Sequence, residues 1–367
     1  MAGRLSILHE SQGQSPWLDN LQRGFLTSGH LGELVARGIR GLTSNPTIFQ
    51  KAIQGSDDYD EQFASAIARG LSPREAYWEL VIEDIKGALD IFDPLHRTSG
   101  GTDGFVSVEV DPSLARDGAE TLRAARDLDD RIGRPNVMIK IPATSEGLPA
   151  IRSMIADGRN VNVTLIFSLS RYADVMEAYV SGLEERLAAG VDIRGVASVA
   201  SFFISRVDTE IDKRLDSIGS AEARSLKGTA AVNQARLAYA SFRAFFSGPR
   251  WERLAAAGAA VQRPLWASTS TKNPLYPDTL YVDSLIGPDT VNTLPDATME
   301  AFDDHGTVAR TIDSDIDASS RQWTALSRLG IDVDDVATQL ENDGVSSFIA
   351  SFEELARALE DKARALT

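Results

Sequence analysis

Several residue types and patterns that would define a function class are missing from this sequence. Its 367 residues include no cysteine, which excludes disulfides, thiolate metal sites, iron–sulfur clusters and a cysteine nucleophile. The four histidines lie far apart in the sequence, so HExxH-type zinc sites are absent as well. No apolar run approaches the roughly 18 residues of a membrane span, and the N-terminal segment has no apolar signal-peptide core. We therefore expect a cytoplasmic protein with no membrane partner.

Positive charge is also scarce. The chain has 37 lysines and arginines against 53 aspartates and glutamates, which gives a net charge of −16. An acidic surface repels nucleic acids and anionic lipids, so neither is an expected partner. An anionic substrate would therefore need its own small cluster of basic residues and backbone N–H donors.

Short apolar, β-branched runs alternate with stretches of helical length along the chain. These runs are apolar on both faces, which is typical of strands that helices bury. The clearest predicted strands are residues 105–110, 137–141, 161–167, 196–203 and 264–267, and weaker ones are residues 17–19, 40–43 and 280–283. The predicted helices are residues 72–92, 112–131, 146–157, 170–189 and 205–218.

The repeated β-α order predicts parallel strands joined by crossover helices. Because no GxGxxG or GxxxxGK motif follows a strand, an α/β fold of the closed (β/α)8 TIM barrel type is favoured over a nucleotide-binding open sheet. Two regions exceed what a barrel needs: residues 205–260 contain two or three helices, and residues 315–367 form a helical tail. The length would also suit two domains, but no Pro/Gly/Ser-rich linker is present. We therefore expect a single barrel domain over residues 1–367 with additional helices.

One of the seven lysines lies in an unusual place. Lys140 interrupts the apolar strand VMIKI at residues 137–141, whereas most of the other lysines lie in polar helical or loop segments. Loss of hydration inside a barrel favours the neutral amine, which is the form that attacks a carbonyl. Two structural alternatives stay open: a lysine paired with an acid, or one that reaches solvent at the strand tip.

Polar residues are expected to converge on Lys140 from the carboxyl ends of the strands. They are Asp19, Asn45, Glu109, Asn162, Thr164 and Ser201. A purely structural barrel would place Val, Ile and Leu there, because a buried polar group costs free energy unless it is paired. The set therefore favours an active site for imine formation. Glu109 is the candidate acid–base group that acts through an ordered water, and Asp19 is the candidate base at the carbon–carbon bond that breaks.

Four segments together resemble the transaldolases in their order and spacing. They are LTSNPT at residues 42–47, VSVEVD at 106–111, IKIPAT at 139–144 and NVTLIFS at 162–168. The resemblance covers about residues 15–290. It implies a class I aldolase-type barrel of the pentose phosphate pathway, a transferase that needs neither a metal nor an organic cofactor. Such an enzyme exchanges sedoheptulose 7-phosphate and glyceraldehyde 3-phosphate with erythrose 4-phosphate and fructose 6-phosphate by moving a dihydroxyacetone unit.

The resemblance also implies roles for individual residues. Lys140 corresponds to the lysine that forms the Schiff base, Glu109 to the acid that acts through water with Thr164, and Asp19 to the base. The dihydroxyacetone unit is then expected to be bound by Asn45, Asn162 and Ser201.

The phosphate end departs from the family pattern. Arg206 lies where the family places a phosphate-binding arginine, but residues 268–272 read STSTK where many relatives carry Ser-x-Arg. Ser268, Ser270 and Lys272 are expected to cradle the phosphate, with the lysine as a point charge instead of a bidentate fork. The additional helices suggest a longer subfamily of transaldolases.

Two other functions stay open beside transaldolase activity. The first is a Schiff-base aldolase on the same barrel that acts on free dihydroxyacetone or deoxyribose phosphate. The second is a non-catalytic barrel that binds sugar phosphates. Loss of the lysine or the acids would mark the second, and this chain keeps Lys140, Glu109 and Asp19. A monomer and a homodimer are both compatible with the sequence.

Overall fold

Eight parallel strands close into a barrel in the computed structural model, which describes residues 3–366. The strands are β1 (Gln14–Leu18), β2 (Gly41–Thr43), β3 (Phe105–Glu109), β4 (Val137–Pro142), β5 (Val161–Ile166), β6 (Ser198–Phe203), β7 (Arg263–Ala267) and β8 (Thr290–Leu294). Each strand pairs in parallel with the next, and β8 pairs with β1 to close the ring. The predicted (β/α)8 barrel with additional helices is confirmed.

Helices surround the barrel and extend beyond it. They are α1 (Arg4–Gln12), α2 (Arg23–Thr27), α3 (His30–Arg37), α4 (Pro46–Gln54), α5 (Asp60–Ala68), α6 (Pro73–Thr98), α7 (Gly118–Ile132), α8 (Gly147–Ala156), α9 (Leu169–Ala188), α10 (Ser205–Ile218), α11 (Ala221–Ser225), α12 (Ala230–Phe245), α13 (Gly248–Ala256), α14 (Leu280–Asp283), α15 (Asp296–His305), α16 (Ile316–Arg328) and α17 (Val333–Leu366). Short 3-10 turns precede α5 and α7. Within residues 3–366, no helix is both long and apolar enough to cross a membrane. Residues 1, 2 and 367, the ends of the predicted domain, lie outside the described residues.

Local sequence signals set several helix ends. Ser72 caps α6 in a capping box, since its hydroxyl accepts from the backbone N–H of Glu75 and the Glu75 carboxylate accepts from the backbone N–H of Ser72. The helix continues past the predicted end at residue 92 and includes Pro94. The cap of α9 is Ser168, two residues before the predicted helix start at residue 170, and the Ser168 hydroxyl accepts from the backbone N–H of Arg171 at 3.0 Å.

The predicted strand at residues 280–283 is wrong. These residues form the helical turn α14, where the Thr279 hydroxyl donates to the Asp283 carboxylate at 2.9 Å. The eighth strand is Thr290–Leu294, which the sequence analysis did not predict. Its sequence, TVNTL, lacks the continuous apolar character of the other strands because three of its five residues are polar, although all five are buried. The predicted two or three helices at residues 205–260 are in fact four, α10 to α13.

A buried carboxylate closes the amino-terminal end of the barrel. Asp103 lies 2.7 Å from Arg40 Nε and 3.2 Å from Arg263 Nη2, and its own side chain is 1% exposed. The hydroxyl of Ser15 also donates to Asp103 at 2.8 Å. Burial alone would raise the pKa of this carboxyl, but Arg263 and Arg40 outweigh burial and hold the pKa below its ordinary value. Asp103 therefore joins the segments that carry Arg40 and Arg263 by ion pairs, and the segment that carries Ser15 by a hydrogen bond.

We expect Asp103→Asn to lower the free energy of unfolding by about 3 kcal/mol at neutral pH, because it leaves two arginines without their partner. The pKa of Asp103 is lowered by folding, so the ionised form stabilises the fold above the unfolded-state pKa and this stabilisation is lost as the pH falls. The difference between wild type and variant in urea unfolding should be constant above about pH 5 and shrink below about pH 4. Asp192→Asn, which removes an exposed pair with Arg194, is the matched control and should leave unfolding unchanged. An equal difference at pH 3 and pH 7 would contradict the assignment.

Candidate active site at the carboxyl ends of the strands

Strand register places an acid, a lysine and an amide side by side. Glu109 on β3 is in register with Lys140 on β4, and Lys140 is in register with Asn162 on β5. Lys140 Nζ lies 3.2 Å from Glu109 Oε2 and donates to the carbonyl oxygen of Ser44 at 3.2 Å. The side chains of the lysine and the glutamate are 5% and 1% exposed. The lysine predicted to be buried in a strand is therefore buried, and it pairs with the glutamate that the sequence analysis selected.

The contact between Lys140 and Glu109 is the lysine–acid pair that the sequence analysis named as a structural alternative. Its geometry, however, is poor for a pair that only stabilises the fold. Neither oxygen of Glu109 accepts a hydrogen bond within residues 3–366, although the ammonium group is near. Burial raises the pKa of Glu109, and the positive charge of Lys140 opposes that rise. A buried ion pair stabilises a fold only when further hydrogen bonds satisfy its remaining lone pairs. Apart from this ion pair, no donor within residues 3–366 satisfies the Glu109 carboxylate, which suits a group that exchanges protons.

Asp19 directly follows β1 at the same end of the barrel. Thr43 Oγ1 donates to Asp19 Oδ1 at 2.7 Å and lies 2.6 Å from Thr293 Oγ1, so Thr293 supplies the proton of that second bond. Burial raises the pKa of the Asp19 carboxyl, while Lys140 and the hydrogen bond from Thr43 oppose the rise. The sequence analysis selected Asp19 but neither threonine. Thr43 lies within the LTSNPT segment, whereas Thr293 belongs to the strand that was not predicted.

A buried hydrogen-bond chain fixes the amide of Asn162. Ser201 Oγ donates to Asn162 Oδ1 at 2.7 Å, and Asn162 Nδ2 donates to Ser107 Oγ at 3.0 Å. All three side chains are buried, as is Thr164, whose hydroxyl has no hydrogen-bond partner in the described part of the chain. Ser107 was not selected from the sequence, although it lies in the VSVEVD segment.

Asn45 has a structural role beside any binding role. Its Oδ1 accepts from the backbone N–H of Ile48 at 3.0 Å and so caps α4, with Pro46 at the first helical position. The amide nitrogen of Asn45 is not used by the cap. The side chain also lines the cavity above Lys140.

Two cations, Arg206 and Lys272, lie at the same end of the barrel as Lys140. Arg206, in the first turn of α10, lies over the ring of Phe203 at 5.4 Å and forms no hydrogen bond or ion pair with any residue from 3 to 366. Lys272 Nζ donates to Ser270 Oγ at 2.7 Å. Burial lowers the pKa of Lys272, and the positive charges of Arg206 and Lys51 lower it further. Within residues 3–366 neither cation has an ion-pair partner, although Asp343, Glu109 and Asp19 act on them from a distance, and such a pair of cations favours an anionic ligand.

The loop that carries Lys272 is held in place by the helical insertion. Tyr281 Oη donates to Asp208 Oδ2 at 2.7 Å, and Tyr276 Oη donates to Asp212 Oδ2 at 2.5 Å. Burial raises the pKa of Asp208 to about 6. Both aspartates belong to α10 and both tyrosines follow β7, so the insertion anchors the chain shortly after the loop at residues 268–272. Within that loop, the backbone of Ser268 is left-handed, with φ at 56°.

A cavity of about 140 Å³ joins these groups. Of the residues selected from the sequence, its lining includes Asp19, Asn45, Lys140, Ser201, Arg206, Ser268, Ser270 and Lys272. Glu109, Asn162 and Thr164 are buried side chains that do not line it. The lining residues that the sequence analysis did not select are Thr43, Phe203, Ala267, Thr293, Pro295 and Phe348.

Comparison with known proteins agrees with this arrangement. A sequence model of the family described as Transaldolase/Fructose-6-phosphate aldolase matches residues 16–359. The chain belongs to this family. The chain is 49% identical over 355 residues to a protein named Transaldolase 1 from Streptomyces avermitilis, which covers 96% of this chain and 94% of the relative. It is 51% identical to proteins named Transaldolase from Parafrankia sp., with 95% of both chains covered, and from Thermobifida fusca, with 94% of both chains covered.

The family membership that the four segments predicted is thus confirmed. The family match at residues 16–359 includes the insertion at 205–260 and most of the C-terminal tail, so both regions belong to the part of the chain that resembles the family. The family description includes both a transferase and an aldolase, which are the first two functions that the sequence analysis left open.

Proposed function

We propose that the chain is a transaldolase of the pentose phosphate pathway, which moves a dihydroxyacetone unit between sugar phosphates through a Schiff base on Lys140. The observation that carries the proposal is the buried contact between Lys140 and Glu109, 3.2 Å apart, beside a cavity that Lys140, Arg206 and Lys272 all line. An amine with an adjacent acid suits imine chemistry, and the cations suit the phosphate of the substrate.

In the first half-reaction, the Lys140 ammonium gives a proton to Glu109, 3.2 Å away, and the resulting neutral amine adds to the carbonyl carbon of the ketose. The resulting carbinolamine loses its oxygen as water, and the carbon–nitrogen double bond forms. Glu109 supplies and removes the protons through a water that it shares with Thr164. Beyond the ion pair with Lys140, Glu109 accepts no hydrogen bond from residues 3–366, and the hydroxyl of Thr164 has no partner there; both are buried polar groups that require one, which supports this role.

Asp19 then takes the proton from the hydroxyl at the bond to be broken. The carbon–carbon bond breaks, its electron pair moves to the protonated imine, and the aldose phosphate leaves while the three-carbon unit stays on Lys140. An acceptor aldehyde reverses these steps. The raised pKa of Asp19 suits a group that must both accept and return a proton near neutral pH.

Further side chains hold the two ends of the substrate. Asn45, Asn162 and Ser201 bind the hydroxyls of the dihydroxyacetone unit. Asn45 and Ser201 line the cavity, and Asn162 lies behind Ser201, whose hydroxyl donates to its amide at 2.7 Å, which supports a site whose orientation is set before substrate binds. The phosphate is bound by Arg206, Ser268, Ser270 and Lys272.

The family description names an aldolase as well as a transaldolase. The two functions differ in whether turnover requires an acceptor aldehyde. With fructose 6-phosphate alone, we expect at most one equivalent of glyceraldehyde 3-phosphate per enzyme, because the three-carbon unit remains on Lys140. Addition of erythrose 4-phosphate should give continuous turnover and sedoheptulose 7-phosphate. A coupled dehydrogenase assay and chromatography of the products measure both. Continuous release of free dihydroxyacetone without acceptor would identify an aldolase, and no reaction in either case would favour a binding protein.

We propose in addition that residues 1–367 act as one unit. The hydroxyls of Thr47 and Ser351 lie 2.8 Å apart and join α17 to α4, and Phe348 of α17 lines the cavity. A cytoplasmic location, with the chain as a monomer or a homodimer, stays a prediction from the sequence.

A further inference from the structure

The C-terminal helix forms part of the cavity wall. Phe348, on α17, is 4% exposed, and its ring centre lies 5.9 Å from Lys140 Nζ. One turn earlier, Gly344 lets the helix approach the site closely. A Cβ at that position would lie 2.9 Å from Leu165 Cδ2 and 3.4 Å from Arg206 Nη1. The helix backbone thus packs directly on side chains of the site.

The ring is placed where it can act on a cation. The face of an aromatic ring carries partial negative charge and attracts a cation within about 6 Å of its centre, more strongly when water is excluded. Lys140 Nζ is almost fully buried between Glu109, the carbonyl of Ser44 and this ring. In the proposed reaction, Lys140 carries a positive charge as the protonated imine, and Glu109 is then engaged in proton transfer. Unlike Glu109, the ring neither gains nor loses a proton during the reaction, so its interaction with the nitrogen persists through every step.

We propose that Phe348 is a positioning residue for Lys140, held over the amine by α17 so that its ring shields the nitrogen from water and stabilises the protonated imine. This proposal rests on the Schiff-base function given above. It assigns a role in the chemistry to a helix outside the eightfold repeat. It predicts a specific loss when the ring is removed, beyond the loss that any cavity in α17 would cause.

The matched control is provided by the same helix. Phe352, one turn further along α17, is 7% exposed, and its ring packs against Tyr77 with 5.3 Å between ring centres. Phe348→Leu and Phe352→Leu therefore remove the same atoms from the same buried helix. Only the first removes a ring that lies over Lys140.

We expect Phe348→Leu to lower kcat about tenfold with less than threefold change in KM, as the loss of a desolvated cation–π contact predicts. Borohydride trapping with fructose 6-phosphate, followed by peptide mass spectrometry, should show a similar fall in the rate of Lys140 labelling. Phe348→Tyr keeps the ring and should retain kcat within about threefold. Phe352→Leu should lower the thermal midpoint as much as Phe348→Leu while its kcat and labelling rate stay within twofold of wild type.

Equal kcat and labelling in Phe348→Leu and wild type would overturn the proposal, as would equal losses in Phe348→Leu and Phe352→Leu. If Phe348→Leu does not fold by circular dichroism, Phe348→Met removes the ring with a more adaptable side chain and is judged by the same measurements. Failure of the Schiff-base function itself has a different signature, because wild-type protein would then show no label on Lys140.

Discussion

Lys140→Ala is expected to lower kcat/KM for the transfer reaction by at least about 10³-fold, because no remaining group can form the covalent intermediate. The substrate should still bind through its phosphate, since Arg206 and Lys272 also line the cavity and are unchanged in this variant. The coupled assay measures the loss of turnover. Borohydride trapping measures the loss of labelling on the peptide that contains residue 140.

Lys213 offers a control with the same chemistry on the surface. Its side chain is 72% exposed and pairs with Glu210 on the same helix, so Lys213→Ala should leave both turnover and labelling unchanged. If Lys140→Ala kept more than a few per cent of wild-type turnover, or if label appeared on another lysine in the wild type, the nucleophile would be a different residue.

Glu109→Gln is expected to slow the reaction by roughly 10²- to 10⁴-fold, the usual contribution of a general acid–base group. Glutamine keeps the shape of the side chain but cannot carry protons between the shared water and the carbinolamine. The defect should lie in imine formation, so the rate of borohydride labelling of Lys140 should fall together with kcat. Stopped-flow mixing and quenched trapping measure that rate directly.

The fold of Glu109→Gln is a necessary check, since the substitution leaves the buried ammonium of Lys140 without its acid partner. We expect a lower thermal midpoint with an unchanged far-ultraviolet circular dichroism spectrum. Glu120→Gln, which removes a carboxylate from an exposed pair with Arg123 on α7, should change neither rate nor midpoint. Loss of the folded spectrum in Glu109→Gln would show that this glutamate is structural.

The strands that are apolar on both faces could be predicted from the sequence. Burial under helices requires apolar, β-branched residues at every position of such a strand, and a short run of these residues is visible in the sequence itself. It missed β8, since TVNTL owes its strand conformation to pairing with β1 and β7 and not to an apolar run. It misread residues 280–283 for the opposite reason. Their apolar and aromatic character serves contacts of a helical turn, including the bond from Tyr281 to Asp208.

At the candidate site, the proposed reactive groups could be predicted from the sequence. The residues that hold those groups in place through hydrogen bonds or packing could not. Lys140 stands out because a charged residue is costly in a buried strand. Ser107 and Thr293 act through hydrogen bonds that depend on strand register, which a single sequence does not specify. Phe348 reaches the amine from a helix that begins almost 200 residues later in the chain, and in the sequence it is indistinguishable from an ordinary core aromatic.

The tyrosine–aspartate contacts of the insertion mean that the two ends of the proposed substrate site are supported by different parts of the chain. Barrel strands carry the amine and its acid, whereas the lysine-bearing loop after β7 is tied by Tyr276 and Tyr281 to α10. α10 also carries Arg206 and begins the connection from β6 to β7, so it cannot be deleted without breaking the parallel order of the barrel. Substitutions that loosen α10 would therefore spare the nucleophile in its strand while they disturb the groups that we propose to recognise the charged end of the substrate.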